Sequence, residues 1–165
     1  MGFFNHILGK TKDEKIKMVM VHYSGLPKFL YNYPCNMVLD HDTKTLTFKA
    51  IANKKAPEIT LPLSKVTFAG NKTIEEIGQS KTKGAIIGGI LFGAAGAVIG
   101  AMTSDERKKL KTLYIINYQA DEEIKEIVLR ENGNLNFSKF QKELSEYLPK
   151  QTEIDPYENK DNITL

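Results

Sequence analysis

Residues 84–104, GAIIGGILFGAAGAVIGAMTS, run for 21 positions without a charged side chain. Six of the chain's twelve glycines fall inside this stretch, at Gly84, Gly88, Gly89, Gly93, Gly96 and Gly100. The pairs Gly84/Gly88, Gly89/Gly93 and Gly96/Gly100 are each four residues apart, so on a helix each forms a small-residue groove. Such grooves let two backbones approach closely, and they serve helix packing and oligomerisation. Glycine in a helix interior costs about 1 kcal/mol relative to alanine, so a helix this rich in glycine does not stand alone in water. Something apolar must cover it.

Length limits what that cover is. The apolar residues 85–102 would make a helix of ~27 Å, at the short end of what spans a bilayer. The segments on either side read as parts of one sheet, and a single span would separate them. Both flanks are basic, with Lys81 and Lys83 before the stretch and Arg107, Lys108, Lys109 and Lys111 after it, so the positive-inside bias favours neither side. A helical hairpin turning near residues 93–96 keeps the flanks together. Its arms would be only ~15 Å long, against a hydrocarbon core of ~30 Å. The expectation is a hairpin that packs on its own barrel or on another copy, or that dips into one leaflet through Ile90, Leu91 and Phe92. Refolding on contact with a membrane is a third reading.

The remainder has the periodicity of a soluble β-rich domain. Residues 16–24 alternate, with Ile16, Met18, Met20 and His22 on one side, and stop at Gly25-Leu26-Pro27. Further strands are expected at 35–39, 45–51, 58–61 and 63–69, with Pro62 marking an edge or a bulge. Gly70-Asn71 reads as a turn, and residues 73–77 fit either a strand or a helical turn. After the glycine-rich stretch, strands are expected at 112–119 and 124–130, joined by a turn at Asp121-Glu122. Phe137, Phe140, Leu144 and Leu148 then make a helical stripe across 137–148. Ser138 with Gln141 would close a capping box, with Asn136 as the competing cap. Residues 149–165 are polar, acidic and expected to be disordered.

Residues 1–15 form a separate N-terminal segment. Phe3, Phe4, Ile7 and Leu8 share one helical face and are followed by Lys10, Lys12, Lys15 and Lys17, a pattern that suits a lipid interface or a turn capping the core. Residues 1–83 carry thirteen lysines against seven acids, a modest excess that suits a mildly basic soluble protein. The single cysteine, Cys35, excludes an intramolecular disulfide and fits a reducing cytosol. The N-terminus shows no secretory leader pattern, and His6 stands where a myristoylation signal needs Ser or Thr.

No constellation of residues points to catalysis. His6, His22 and His41 lie in unrelated contexts with no metal-ligand spacing, and no cofactor is expected. Cys35 has no accompanying nucleophile signature, so a half-buried strand position is the expectation. The glycines are not followed by Lys-Ser/Thr, so they do not form a phosphate loop. The adjacent carboxylates Glu75-Glu76 and Asp121-Glu122-Glu123 fit solvated turns. Tyr31, Tyr33, Tyr114 and Tyr118 lack the dense basic surroundings of a nucleic-acid interface.

About seven strands followed by one C-terminal amphipathic helix resembles a PH-like (GRAM-like) barrel. The resemblance covers roughly residues 16–148 and rests on three pieces. Gly25-Leu26-Pro27 ends the first strand. Ile59-Thr60-Leu61-Pro62-Leu63-Ser64-Lys65-Val66 is similar to the strand-and-turn of GRAM-type modules. Lys83-Gly84 through Met102 then precedes basic residues and Leu113-Tyr114-Ile115-Ile116. Together they resemble small bacterial and phage PH-like proteins that carry a glycine-rich insert before the last two strands. The resemblance implies a non-enzymatic binding or scaffolding module, cytoplasmic or peripheral to the inner face of the cell membrane. It implies a homo-oligomer or a protein partner, with membrane lipid as a second kind of contact. The clustered basic signature of phosphoinositide-binding PH domains is missing. Two rival expectations are a phage-borne or host protein-interaction or inhibitor module oligomerised by the hairpin, and a small membrane-active protein.

Overall fold

A computed structural model describes residues 14–79, 86–87 and 90–150. The N-terminal residues Phe3, Phe4, Ile7 and Leu8 lie outside this range, as do the tail from residue 151 and the glycines Gly84, Gly88 and Gly89. Strand β1 (Lys15–Ser24) buries Ile16, Met18, Met20 and His22 on one side, as its alternation requires. Strands β2 (Tyr33–Asp40) and β3 (Thr45–Ala50) keep the same period, with Cys35, Met37, Leu39, Leu46 and Phe48 wholly buried. Cys35 is therefore a core residue rather than a half-buried one, and burial pushes its thiol up to about 12. Strand β4 (Ile59–Pro62) ends on a proline, which cannot donate to a ladder, and it lies at a sheet edge.

A 3-10 turn at Leu63–Lys65 leads into β5 (Val66–Thr73) and helix α1 (Ile74–Gln79). The glycine-rich region holds the short strands β6 (Ile86–Ile87) and β7 (Ile90–Leu91) and the helix α2 (Gly93–Ala101). Helix α3 (Ser104–Lys109), strands β8 (Thr112–Ala120) and β9 (Glu123–Glu131) and helix α4 (Phe137–Ser145) complete the order.

Seven strands form one antiparallel sheet in the order β4-β3-β2-β1-β9-β8-β5. Its two edges, β4 and β5, are consecutive in sequence. Leu61 from one edge and Val66 and Ala69 from the other pack into a single core with Tyr114, Leu129, Phe140 and Leu144. The sheet therefore curls around that core. Register shifts between His22 and Ser24, and between Val66 and Phe68, provide local bends.

Helix α4 closes the inner face. Phe140 and Leu144 are fully buried, with Phe137 and Leu148 packed beside them, as the stripe predicts. The helix proper stops at Ser145, and Tyr147 and Leu148 continue as turns. Two polar ties hold it. The Tyr114 hydroxyl donates to Gln141 Oε1 at 2.7 Å, and Gln141 Nε2 donates to the Ala69 carbonyl at 2.9 Å. At the other end, the His41 ring lies 2.7 Å from Glu143 Oε2 through Nε2 and 2.6 Å from the Tyr147 hydroxyl through Nδ1. One tautomer satisfies both: Nε2–H donates to the carboxylate while Nδ1 accepts from the phenol.

Two local expectations need correction, and one open choice is resolved. Gly70-Asn71 is not a turn but the middle of β5, paired with Ile115 and Tyr114, because β8 offers an unbroken partner strand. Ser138 and Gln141 form no capping box: Asn136 is the N-cap without a side-chain bond, and Gln141 is committed to Tyr114 and Ala69. Two other boxes form instead. Thr73 and Glu76 bond reciprocally at the start of α1, and Thr103 and Glu106 do so at the start of α3. The first of these settles residues 73–77: Thr73 ends a strand and opens a helix.

Candidate functional site: the glycine-rich cover

The outer face of the sheet is apolar over β8 and β9. Leu113, Ile115 and Val128 form a second core there with Ile77, Ile90, Phe92, Ala95, Val98 and Met102. The described part of the glycine-rich stretch thus lies on its own sheet. It contains one helix rather than two helical arms. Strands β6 and β7 pair Ile86 with Leu91 and Ile87 with Ile90, and the sequence between them is Gly-Gly, the composition two-residue hairpins favour. Residues 93–96, expected as the hairpin's turn, are the first turn of α2. Three isoleucines in five positions explain the strands, because β-branched side chains suit a pleated surface.

Two buried polar side chains on the sheet fix this cover in place. Asn117 is fully buried, and its amide makes both bonds of a strand pair with Leu91: Oδ1 accepts from Leu91 N at 2.7 Å and Nδ2 donates to Leu91 O at 3.1 Å. Glu126 sits under the N-terminus of α2, where its carboxylate accepts from Ala95 N at 2.6 Å and from Ala94 N at 3.3 Å. These are first-turn N–H groups that the helix itself leaves unpaired, and the negative charge meets the positive end of the helix dipole. Burial nevertheless pushes the Glu126 carboxyl up to about 7, with the two N–H bonds opposing the rise. Neither residue was singled out from the sequence.

Helix α2 has two unlike sides. Ala95 and Val98 face the sheet, while Gly93, Gly96, Ala97 and Gly100 are exposed. A Cβ added at Gly93, Gly96 or Gly100 would meet no atom within 4 Å. The glycines that are described therefore play no part in packing the helix onto its own sheet. Of the residues expected to touch a membrane, Ile90 and Phe92 are buried in the outer core and Leu91 is half-buried. No helix among the described residues is long and apolar enough to cross a membrane. No protein-family model, curated protein or solved structure matches the chain.

Proposed function

We propose that this chain is a PH-like, non-enzymatic scaffolding module that joins a second copy of itself through the outward glycine face of α2. The observation that carries this reading is the exposure of Gly93, Gly96 and Gly100 on a nine-residue helix with open space above each one. Three helical glycines together forgo up to roughly 3 kcal/mol relative to alanine, and no contact among the described residues offsets that loss. Close approach of another backbone does, since only glycine admits it. The PH-like part of the reading is supported by a seven-stranded antiparallel sheet followed by one amphipathic helix lying in its concavity.

Assembly on itself is favoured over insertion into a leaflet because Ile90, Phe92 and Val98 already have partners on the sheet. Insertion would strip them from Leu113, Ile115 and Val128. A cytoplasmic setting, next to a membrane or free of one, is in keeping with the buried Cys35 thiol. Sedimentation velocity over a range of concentrations without detergent, beside flotation on anionic vesicles, tests the choice. The expected outcome is a defined oligomer in buffer that does not float. A monomer at every concentration that floats with vesicles would overturn the assembly reading in favour of a membrane one.

A further inference from the structure

The cover ends at a cavity beside Met102, lined by none of the α2 glycines. Its volume is about 290 Å³, near the lower bound of small-ligand pockets, roughly 300 Å³. It opens where Met102 and α3 meet the ends of β1 and β9. Tyr23 and Arg130 come from the sheet, Tyr31 from the β1–β2 loop, and Lys109 from the last turn of α3. We infer that this cavity is a binding site for a small amphipathic anion, a carboxylate or phosphate carried on a planar apolar body.

The chemistry of the walls selects that class. Arg130 is half-buried, and its Nε donates to the Tyr23 hydroxyl at 3.2 Å, which fixes the plane of the guanidinium. Among the described residues no carboxylate lies within ion-pair distance of it, and Glu131 feels its charge only at longer range. Its terminal nitrogens keep the fork that pairs best with a carboxylate or phosphate. Lys109 adds a second positive charge from an exposed position. The one acid in the lining, Glu106, is tied to the start of α3, where Oε2 accepts from Thr103 N at 2.8 Å and its own N–H donates to Thr103 Oγ1. Its charge still reaches the cavity, where burial and that charge together raise the Tyr31 phenol. Arg130 and Lys109 against Glu106 leave the lining with one positive charge in excess.

The apolar requirement comes from the remaining side chains of the lining. The Tyr23 and Tyr31 rings lie 5.4 Å apart at 58°, and Met102 and Leu110 complete a surface on which a ring can lie. Tyr31 is 49% exposed, so one of these rings stands open to an incoming molecule. A bare inorganic anion would use the cations and leave the rings untouched. An uncharged aromatic molecule would do the reverse. Because Met102 and Lys109 belong to the cover and Arg130 to the sheet, an occupant would also tie the cover down.

Titration calorimetry on the full chain tests the site with three probes: phenyl phosphate, benzoate and inorganic phosphate. Phenyl phosphate is expected to bind saturably, with inorganic phosphate roughly tenfold weaker for want of the ring contact. Comparison of benzoate with phenyl phosphate then decides between carboxylate and phosphate as the preferred head group. Lys109→Ala, at an exposed helix position, should weaken phenyl phosphate about tenfold, and Arg130→Gln at least as much. Tyr31→Phe should bind as the unaltered chain does, whereas Tyr31→Ala should not. Should no probe saturate below about 10 mM, the site does not exist. Equal affinity for phenyl phosphate and inorganic phosphate, or indifference to Lys109→Ala in a variant that melts normally, would equally overturn the assignment.

Discussion

Helices α4 and α2 cover opposite faces of one sheet, and they do so with opposite chemistry. On the inner face, α4 drives Phe140 and Leu144 into a core that draws side chains from all seven strands of the main sheet. On the outer face, α2 buries Ala95 and Val98 with Ala94 and Ile99 packed beside them, and Asn117 and Glu126 hold the backbone of the cover. Apolar area is non-directional and adds up with size, so the larger inner core carries the greater share of the fold's stability. Hydrogen bonds from buried side chains are directional, so the outer face carries position. A helix held by its backbone can leave its other side free, and here that side is lined by glycine.

Four substitutions separate the two faces. The largest effect is expected from Phe140→Ala, which should lower stability by ~3–5 kcal/mol, read as a fall in the denaturant midpoint of the whole chain. If that variant lost only local structure, the inner face would not be the stability core. Asn117→Ala leaves the N–H and C=O of Leu91 without partners and should cost about 1–3 kcal/mol. Hydrogen exchange should locate the loss, with amides of residues 90–101 exchanging faster while β2 and β3 stay protected. Uniform acceleration across the sheet would mean that the two faces are not separable.

A third test uses pH. Glu126 has a carboxyl raised from its ordinary 4.5 to about 7, so the folded chain holds that proton more tightly than the unfolded one. Its contribution to stability is complete below about pH 4.5 and is lost as pH rises through about 7. Glu126→Gln should remove that slope, leaving the outer cover equally protected at both ends of the window. A slope that persists in the variant would place its source elsewhere. The smallest effect is expected from Gly96→Ala. In dilute solution it should stabilise the chain by up to about 1 kcal/mol, because the position is helical and the space above it is open. Destabilisation of the dilute chain would show that the glycine is needed within the fold.

The inner face was legible because its strands alternate cleanly and its helix stripe is unambiguous. Ile16, Met18 and Met20, and Phe140 and Leu144, are where period 2 and period 3.6 put them. The outer cover was legible only in part. A signal for it was present in Leu113-Tyr114-Ile115-Ile116, four apolar residues in a row that are all fully buried. A strand buried on both faces loses its alternation, so such a run implies that something covers the second face. Asn117 and Glu126 were missed because a polar residue in a strand reads as solvent-facing until its partner is known, and their partners are 26 and 31 or 32 residues away. Glycine spacing suggested two helical arms because it is a helix-based pattern. It takes no account of Ile86, Ile87 and Ile90, whose branching favours a strand.

The account turns on whether the glycine face of α2 is an interface. Its most direct test is the molar mass in detergent-free solution by size exclusion with light scattering, for the unaltered chain and for Gly96→Leu. The added side chain enters open space on a helix, so the dilute variant should melt no lower than the dilute unaltered chain. A defined oligomer that becomes a monomer in Gly96→Leu is the predicted result. An unaltered chain that is already monomeric, or a variant of unchanged mass, would contradict it.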